Sequence, residues 1–290
     1  MFSVFIPVGA TEREPERLAD TLDSLRAHAP SGDVRLTLID DSPRPRRLES
    51  LWPGVSVIRT ALWDRRAPDP FSAMTAGTIE ALKRAEGDFA LKLDTDAVVI
   101  APFADSINSI LAEEPSIGII GAYDVAADGG RRDWSMWPAL IRRTGRPVRA
   151  VRGGGPLPRV MFPSQAERGA ARRAVRAAEA NPTYVLGAHC LGGAYAVSRS
   201  LFARRELLDW RPWVGTRLGE DVVLGILCAA AGLRMRGAAG AAEPFAVAWK
   251  GLPAEPSRLV ARGHSIVHSV KDGTHGTECE LREWFRLNAR

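Results

Sequence analysis

The chain has 290 residues, of which 46% are apolar and 25% are charged, and its formal net charge at pH 7 is +5. This is the composition of a globular protein, and it excludes collagen-like and wholly disordered chains. The longest uncharged apolar run, residues 222–233, is shorter than the roughly 20 residues that a membrane-spanning helix needs.

The three cysteines, Cys190, Cys228 and Cys279, are odd in number and have no Cys-x-x-Cys spacing. They therefore favour neither a disulfide framework nor a thiolate zinc site. The apolar N-terminus, MFSVFIPVGA, contains no basic residue, so we interpret it as a strand rather than a signal peptide. We accordingly expect a cytoplasmic protein with reduced cysteines.

The first hundred residues alternate between strand-like and helix-like segments. Apolar or alternating runs predict strands at 2–8, 34–39, 55–58 and 89–93. Helical spacing of apolar residues predicts helices over 14–27 and 72–85, the second of which is ended by Gly87. This alternation is typical of an α/β fold with a mostly parallel, Rossmann-like central sheet flanked by helices.

The rest of the chain continues the pattern after an interruption. We predict a helix around 107–111, strands at 117–121 and 191–197, and an apolar helix over 222–233. The segment 126–163 is rich in Arg, Gly and Pro and is too long for a simple connection, so it should be functional or mobile. A basic helix, 168–180, follows it. Aromatic residues do not interleave with these arginines as nucleic-acid stacking would require, so no nucleic-acid partner is expected.

Acidic residues follow two of the predicted strands. Asp40 and Asp41 come after the second strand, and the run LKLDTDAVV places Asp94 and Asp96 after the fourth. Ligands of such sheets bind beyond the carboxyl ends of the strands, and an Asp-x-Asp pair there can hold a hard divalent cation through oxygen ligands. The alternative is a strand-end turn in which the aspartates cap backbone groups.

Five segments occur in an order that resembles family 2 glycosyltransferases of the GT-A fold, and the resemblance covers most of the chain. They are FIPVGA, LIDDSP, LDTDAVV, GGAYAVS and GEDVVLG. The resemblance implies transfer of a sugar from a nucleotide-diphosphate sugar of the UDP, GDP or dTDP type to a small-molecule or glycan acceptor, with inversion and with Mn²⁺ or Mg²⁺ as cofactor. Because the chain lacks the Gln-x-x-Arg-Trp element of processive synthases and a membrane-spanning run, we expect a single addition.

The resemblance also implies roles on the donor side. The nucleoside would be held by the first strand and by the aspartates after the second, which are Pro7, Val8, Asp40 and Asp41. Asp96 would bind the metal ion, and Asp94 would contact the ribose or share the ion. Gly192 and Gly193 would let the backbone approach the donor sugar, although glycines in a strand can also mark a bulge.

A late histidine binds the same metal ion in many GT-A enzymes, and the run GHSIVHSVK offers His264 and His268. His268 matches better because Lys271 follows it, and Lys271 would lie near the phosphates. His189 is interpreted as structural.

Acceptor-side roles fall on the segment before the apolar helix. In the family, the Glu-Asp pair, here Glu220 and Asp221, lies near the acceptor, and the aspartate is the general base. Asp221 could equally be the N-cap of the helix, and the two roles are compatible. Trp210 and Trp213 are predicted to line the acceptor pocket. For Trp134 and Trp137 the sequence favours neither this role nor a core position.

These assignments divide a single GT-A domain, 1–290, into three parts. Residues 1–125 form the nucleotide-binding half, 126–180 a mobile Arg-rich insertion that closes as a lid over the diphosphate, and 181–290 the acceptor-binding half with a C-terminal tail.

Two other functions remain open at this point. A phosphohydrolase of the haloacid dehalogenase type would use Asp94 as nucleophile and Asp96 as acid, although that motif normally follows the first strand and would leave Asp40 and Asp41 without a role. A non-catalytic nucleotide-sugar or nucleic-acid binding protein would bind without turnover, and replacing Asp221 would then not change its activity.

Overall fold

The computed structural model describes residues 1–29, 31–42, 44–52, 54–59, 70–125, 128–144 and 163–288. The strands are β1 (Phe2–Val8), β2 (Val34–Asp40), β3 (Ser56–Ile58), β4 (Phe89–Leu93), β5 (Val98–Val99), β6 (Ile117–Gly121), β7 (Ala194–Ser198), β8 (Arg234–Gly237), β9 (Phe245–Val247) and β10 (Ile266–His268). The α-helices are α1 (Glu14–His28), α2 (Pro70–Arg84), α3 (Ala104–Glu113), α4 (Trp137–Ile141), α5 (Gln165–Glu179), α6 (Arg199–Phe202), α7 (Glu220–Ala230), α8 (Pro256–Ala261) and α9 (Glu278–Asn288).

Seven strands form the central sheet, in the order β3-β2-β1-β4-β7-β6-β8. β1 is parallel to β2 and β4, β2 to β3, and β6 to β8. β7 runs antiparallel to both of its neighbours, β4 and β6. The predicted α/β fold class, with a mostly parallel sheet flanked by helices, is confirmed. Since β7 and β8 come from the last third of the chain, both ends of the sequence share one sheet.

The sheet is buried on both faces, as expected for strands covered by helices. Alternate β1 side chains, from Phe2 to Val8, join a core on the face covered by α1. Phe5 points to the opposite face, into a second core that includes Ile79 of α2 and most of α7. This two-sided burial explains why β4 reads as a continuous apolar run with one exception, Lys92.

A three-stranded second sheet, ordered β5-β10-β9, lies beside the acidic loop that follows β4. β10 is antiparallel to β5 and parallel to β9. β5 begins two residues after Asp96, and β10 ends at His268. The pairing of β5 with β10 therefore carries this histidine to the acidic loop from about 170 residues further along the chain.

The predicted insertion, 126–180, is described only in part. Residues 126–127 and 145–162 lie outside the described residues, so its closure as a lid stays a prediction, as do the boundaries of the three parts. The predicted basic helix is confirmed as α5. A capping box begins it: the Ser164 side chain accepts from the backbone N–H of Glu167 at 3.2 Å, and the Glu167 carboxylate accepts from the backbone N–H of Ser164 at 2.6 Å. No helix among the described residues is long and apolar enough to cross a membrane.

Candidate active site

The chemistry-bearing residues meet at one edge of the central sheet. β1, β2 and β4 are parallel, so their carboxyl ends place Val8, Asp40 and Asp94 along this edge. β7 runs in the opposite direction and begins here, directly after Gly192 and Gly193. The topology thus brings Asp94 and the two glycines to a cleft of about 390 Å³ that Glu220, Asp221, His268 and Lys271 also line, whereas Val8 and Asp40 are not among its lining residues.

Asp94, Asp96 and His268 form a cluster that fits a divalent cation. One potential ligand atom from each residue lies within 4.8 Å of the others. His268 Nε2 is 3.3 Å from Asp96 Oδ2 and 3.6 Å from Asp94 Oδ2. His268 Nδ1 is 3.0 Å from the carbonyl of Ala248, and donation there leaves the Nε2 lone pair facing the carboxylates. Two carboxylates and an imidazole match the preferences of Mn²⁺ and related ions.

Asp96 is held as an anion. Its Oδ2 accepts a hydrogen bond from Ser269 Oγ at 2.5 Å and lies 2.8 Å from Lys271 Nζ. Burial alone would raise the pKa of Asp96, but His268, in the form whose Nε2 carries a proton, and Lys271 outweigh it and hold the pKa well below its usual range. The second candidate histidine, His264, directs its Nδ1 to the carbonyl of Glu243 and is not part of the cluster.

The acidic loop is fixed from behind by its middle residue, Thr95. The Thr95 hydroxyl donates to Glu14 Oε2 at 2.5 Å, and its carbonyl accepts from Thr21 Oγ1 at 2.9 Å and from Arg282 Nη2 at 3.0 Å. Helices α1 and α9 therefore hold the loop 94–96 in place. Sequence analysis did not find these partners, because α9 lies near the opposite end of the chain.

Lys92 is a charged residue of the cleft that sequence analysis missed. Its side chain is 1% exposed and lies 2.6 Å from Asp94 Oδ1 and 3.3 Å from Glu220 Oε1. Burial by itself lowers the pKa of Lys92, but Asp94 and Glu220 more than offset it, so the pKa lies above its ordinary value. A lysine inside the otherwise apolar strand FALKL was the available signal.

Glu220 and Asp221 begin α7 on the other side of the cleft. The N-cap is Gly219, so the alternative role of Asp221 as N-cap is not what the helix shows. Asp221 Oδ1 accepts from the backbone N–H of Val222 at 2.8 Å. Burial raises the pKa of both carboxyls above their ordinary values, and a carboxylate with a raised pKa is a stronger base.

His189, predicted to be structural, also lines the cleft. Its Nε2 is 3.6 Å from Asp221 Oδ2 and 3.0 Å from Arg132 Nη2, and its Nδ1 is 2.8 Å from the carbonyl of Gly187. Burial lowers the pKa of His189 to about 4, so the ring is neutral near pH 7. If Nδ1–H donates to Gly187, Nε2 accepts from Arg132 and gives no proton to Asp221.

Close packing leaves no room for a side chain at Gly193 and little room for one at Gly192. A Cβ atom at Gly193 would lie 2.1 Å from His268 Nδ1, and one at Gly192 would lie 3.1 Å from carboxylate oxygens of Glu220 and Asp221. The Gly193 carbonyl accepts from the backbone N–H of Asp94 at 2.9 Å. These glycines therefore join the two sides of the cleft, a constraint that exists whether or not a donor sugar approaches them.

The residues predicted to hold the nucleoside lie at the predicted edge of the sheet, and most of them are buried. Pro7 and Val8 are buried in β1. Asp40 Oδ1 accepts from the Ser42 hydroxyl, and Oδ2 accepts from the backbone N–H of Arg46 at 3.0 Å. Asp41 is half-buried, and its backbone N–H donates to the Val8 carbonyl at 3.0 Å. Asp40 therefore supports the turn after β2, and Asp41 is the more accessible carboxylate.

The predicted acceptor tryptophans are not brought to the cleft. Trp213 is 2% exposed in the second core, and Trp210 Nε1 donates to Glu80 Oε1 at 3.0 Å. The segment that carries both tryptophans packs against α2 and α5, and a position shortly before the Glu-Asp pair could not distinguish this packing from a binding role. The large apolar side chains that do line the cleft include Phe71, Met74, Trp137, Leu191 and Trp249. Trp249 is 82% exposed, and no sequence pattern singled it out.

Comparison with known proteins gives distant structural similarities. No family model matches the chain, and no curated protein matches it. The chain is similar to S. aureus TarS, with 18% identity, a TM-score of 0.32, and coverage of 47% of this chain and 24% of that one. A structure of TarS 1-349 in complex with UDP-GlcNAc gives 19% identity, a TM-score of 0.31, and coverage of 47% and 38%.

The chain is also similar to the mannosyltransferase PcManGT from Pyrobaculum calidifontis in complex with GDP-Man and Mn²⁺. The identity is 15%, the TM-score is 0.38, and the match covers 76% of this chain and 49% of that one. The chain thus matches between about a quarter and a half of the length of these proteins. Similarities this distant leave the function to be argued from the site.

Proposed function

We propose that this protein is a metal-dependent glycosyltransferase that moves one sugar from a nucleotide-diphosphate sugar to an acceptor hydroxyl, with inversion. The observation that carries the proposal is the pairing of two chemistries in one cleft. A cation-binding cluster, Asp94, Asp96 and His268, lies on one side, and Asp221, a carboxylate of raised pKa, lies on the other.

On the donor side, Asp94, Asp96 and His268 would hold Mn²⁺ or Mg²⁺. A bound ion supplies positive charge that stabilises a departing diphosphate. Lys271, whose side chain is 45% exposed, extends the positive charge toward the phosphates. The nucleoside would lie over the ends of β1 and β2, where Asp41 offers a carboxylate to the ribose or base.

On the acceptor side, Asp221 would act as general base. Its Oδ2 accepts the proton of the attacking hydroxyl while the hydroxyl oxygen bonds to the anomeric carbon. The bond from that carbon to the phosphate oxygen breaks, and the diphosphate leaves with the electron pair. Attack from the side opposite the diphosphate gives inversion, and the exposed ring of Trp249 would support the acceptor.

The arrangement fits a phosphohydrolase less well. That reaction would need Asp94 as nucleophile, but Asp94 Oδ1 is 2.6 Å from Lys92 and Oδ2 belongs to the metal cluster. It would also leave Asp221 without a role. A protein that only binds nucleotide sugars would not need a base of raised pKa opposite the metal cluster.

The test is calorimetric titration of UDP, GDP and dTDP into the protein with and without Mn²⁺. We expect Mn²⁺-dependent binding of one of these nucleotides, which Asp96→Ala abolishes. Asp105→Ala is the matched control because Asp105 is an exposed aspartate of α3 that does not line the cleft. Failure of all three nucleotides to bind under either condition would overturn the proposal.

A further inference from the structure

Lys92 lies in a position that resembles an occupied cation site. Three oxygen atoms surround its ammonium group: Asp94 Oδ1 at 2.6 Å, Glu220 Oε1 at 3.3 Å, and the carbonyl oxygen of Gly192. A lysine ammonium has three donors and no acceptor, so each N–H has one oxygen partner. The side chain is 1% exposed, and water does not compete for these contacts.

The oxygens around Lys92 are of the kinds that bind hard divalent ions. Two carboxylates and a backbone carbonyl are common ligands of Mg²⁺, Mn²⁺ and Ca²⁺. Asp94 belongs to both cation positions because Oδ1 faces Lys92 while Oδ2 faces His268. One shared carboxylate is how two-metal sites hold ions about 3.5–4 Å apart.

We propose that Lys92 is a built-in cation that takes the place of a second divalent ion between Asp94 and Glu220. The cleft then binds a single ion, at the cluster formed with Asp96 and His268. Lys92 also keeps Glu220 on the acceptor side, as a partner of the ammonium instead of a metal ligand. The inference rests on the proposed function only for the role of the single ion, since the lysine contacts are present without it.

The experiment counts Mn²⁺ ions bound per chain by electron paramagnetic resonance, in the absence of nucleotide. We expect the wild-type chain to bind one ion and Lys92→Met to bind two, because the variant frees three oxygens without adding a charge. Adding Glu220→Gln to Lys92→Met should return the count to one. Lys83→Met, which removes a lysine paired with Glu80 on α2, should leave it at one.

A second measurement does not depend on the folding of the Lys92 variant. In the otherwise unchanged chain, Glu220→Gln should alter the Kd for Mn²⁺ by no more than about threefold, since Glu220 is not a ligand, whereas Asp94→Asn should weaken binding at least about tenfold. An equal loss in both variants would overturn the inference, and so would a folded Lys92→Met that binds one ion or none.

Failure of the proposed function would look different. If the chain binds Mn²⁺ as described but binds no nucleoside diphosphate, the proposed glycosyltransferase function is overturned, and the proposal that Lys92 replaces a second ion still stands. If the wild-type chain binds two Mn²⁺ ions, the proposal for Lys92 is overturned, and the result of the nucleotide titration is unaffected.

Discussion

The two sides of the cleft hold buried carboxylates in opposite ways. On the metal side, Asp96 Oδ2 is contacted by the Ser269 hydroxyl and the Lys271 ammonium, and its pKa lies well below the usual range. On the acceptor side, Asp221 Oδ1 has the backbone N–H of Val222, and burial raises its pKa. An aspartate side chain is therefore a stable anion on the metal side, at Asp96, and a base on the acceptor side, at Asp221.

This difference arises from what each segment places beside the carboxylate. The residues after β10 place cationic and hydroxyl groups against Asp96, which keeps this carboxylate ionised, the form that a metal ligand needs, at any moderate pH. The residues before β7 place a neutral imidazole, His189, against Asp221, packed between Trp134 and Trp137 at ring-centroid distances of 4.9 and 5.2 Å. Burial destabilises the anion of Asp221 by more than the backbone N–H of Val222, Lys92 and Arg132 stabilise it, and so favours proton uptake from a substrate.

Asp221→Asn tests the acceptor side and should have the largest effect on turnover. The variant keeps the size of the side chain and removes the base, so kcat should fall about 10²–10⁴-fold. The Kd for the Mn²⁺–nucleotide pair should stay within about twofold, because Asp221 is outside the metal cluster. Parallel rate and calorimetric measurements check both values. Loss of nucleotide binding in this variant would show that the two sides are not separate.

Gly193→Ala tests whether close packing at Gly193, between the two sides of the cleft, holds the metal ligand His268 in place. The added Cβ would lie 2.1 Å from His268 Nδ1, so the imidazole must move away from Ala248 and from the carboxylates. Displacing an oriented metal ligand should weaken Mn²⁺ binding about 10–100-fold. Gly32→Ala is the matched control, since a Cβ there meets no atom within 4 Å. Unchanged Mn²⁺ affinity in Gly193→Ala would contradict the placement of His268.

The pH dependence of kcat should report the acceptor side. Asp221 works as a base when ionised, and its pKa is raised above 3.8 by burial. Activity should therefore fall as the pH drops through this raised pKa, with an acid limb above that of an ordinary aspartate. Glu220 has a raised pKa as well, and Lys92, Arg132 and Asp94 also act on Asp221, so the limb belongs to the group.

A matched variant separates Asp221 from the nucleoside edge in that profile. Asp41→Asn, at the nucleoside edge, should change the nucleotide Kd and leave the position of the acid limb of kcat unchanged. An acid limb at or below the ordinary aspartate pKa of 3.8 in the wild-type chain would contradict a base of raised pKa.

The fold and the two aspartates of the metal cluster were predictable because their signals are local, whereas His268 was predicted only through the family resemblance. Apolar runs gave the strands, and Asp94 and Asp96 follow a buried strand whose end faces the ligand edge. The positions that sequence analysis missed depend on long-range contacts. Lys92 meets Glu220 across 128 positions of the chain, and the place of Trp210 before the Glu-Asp pair gave no hint that its indole nitrogen bonds to Glu80.

The aromatic contact of the acceptor gives the smallest expected effect and tests where the acceptor side ends. Trp249 is 82% exposed and lines the cleft, one position after Ala248, whose carbonyl faces His268. Because an exposed indole can stack on a sugar ring, Trp249→Ala should raise the KM for the acceptor about 3–10-fold and change kcat little. Trp210→Phe is the control, since its indole faces Glu80 rather than the cleft, and it should leave this KM unchanged. The reverse result, a higher KM in Trp210→Phe alone, would indicate that the acceptor binds at the segment before α7, as the sequence predicted.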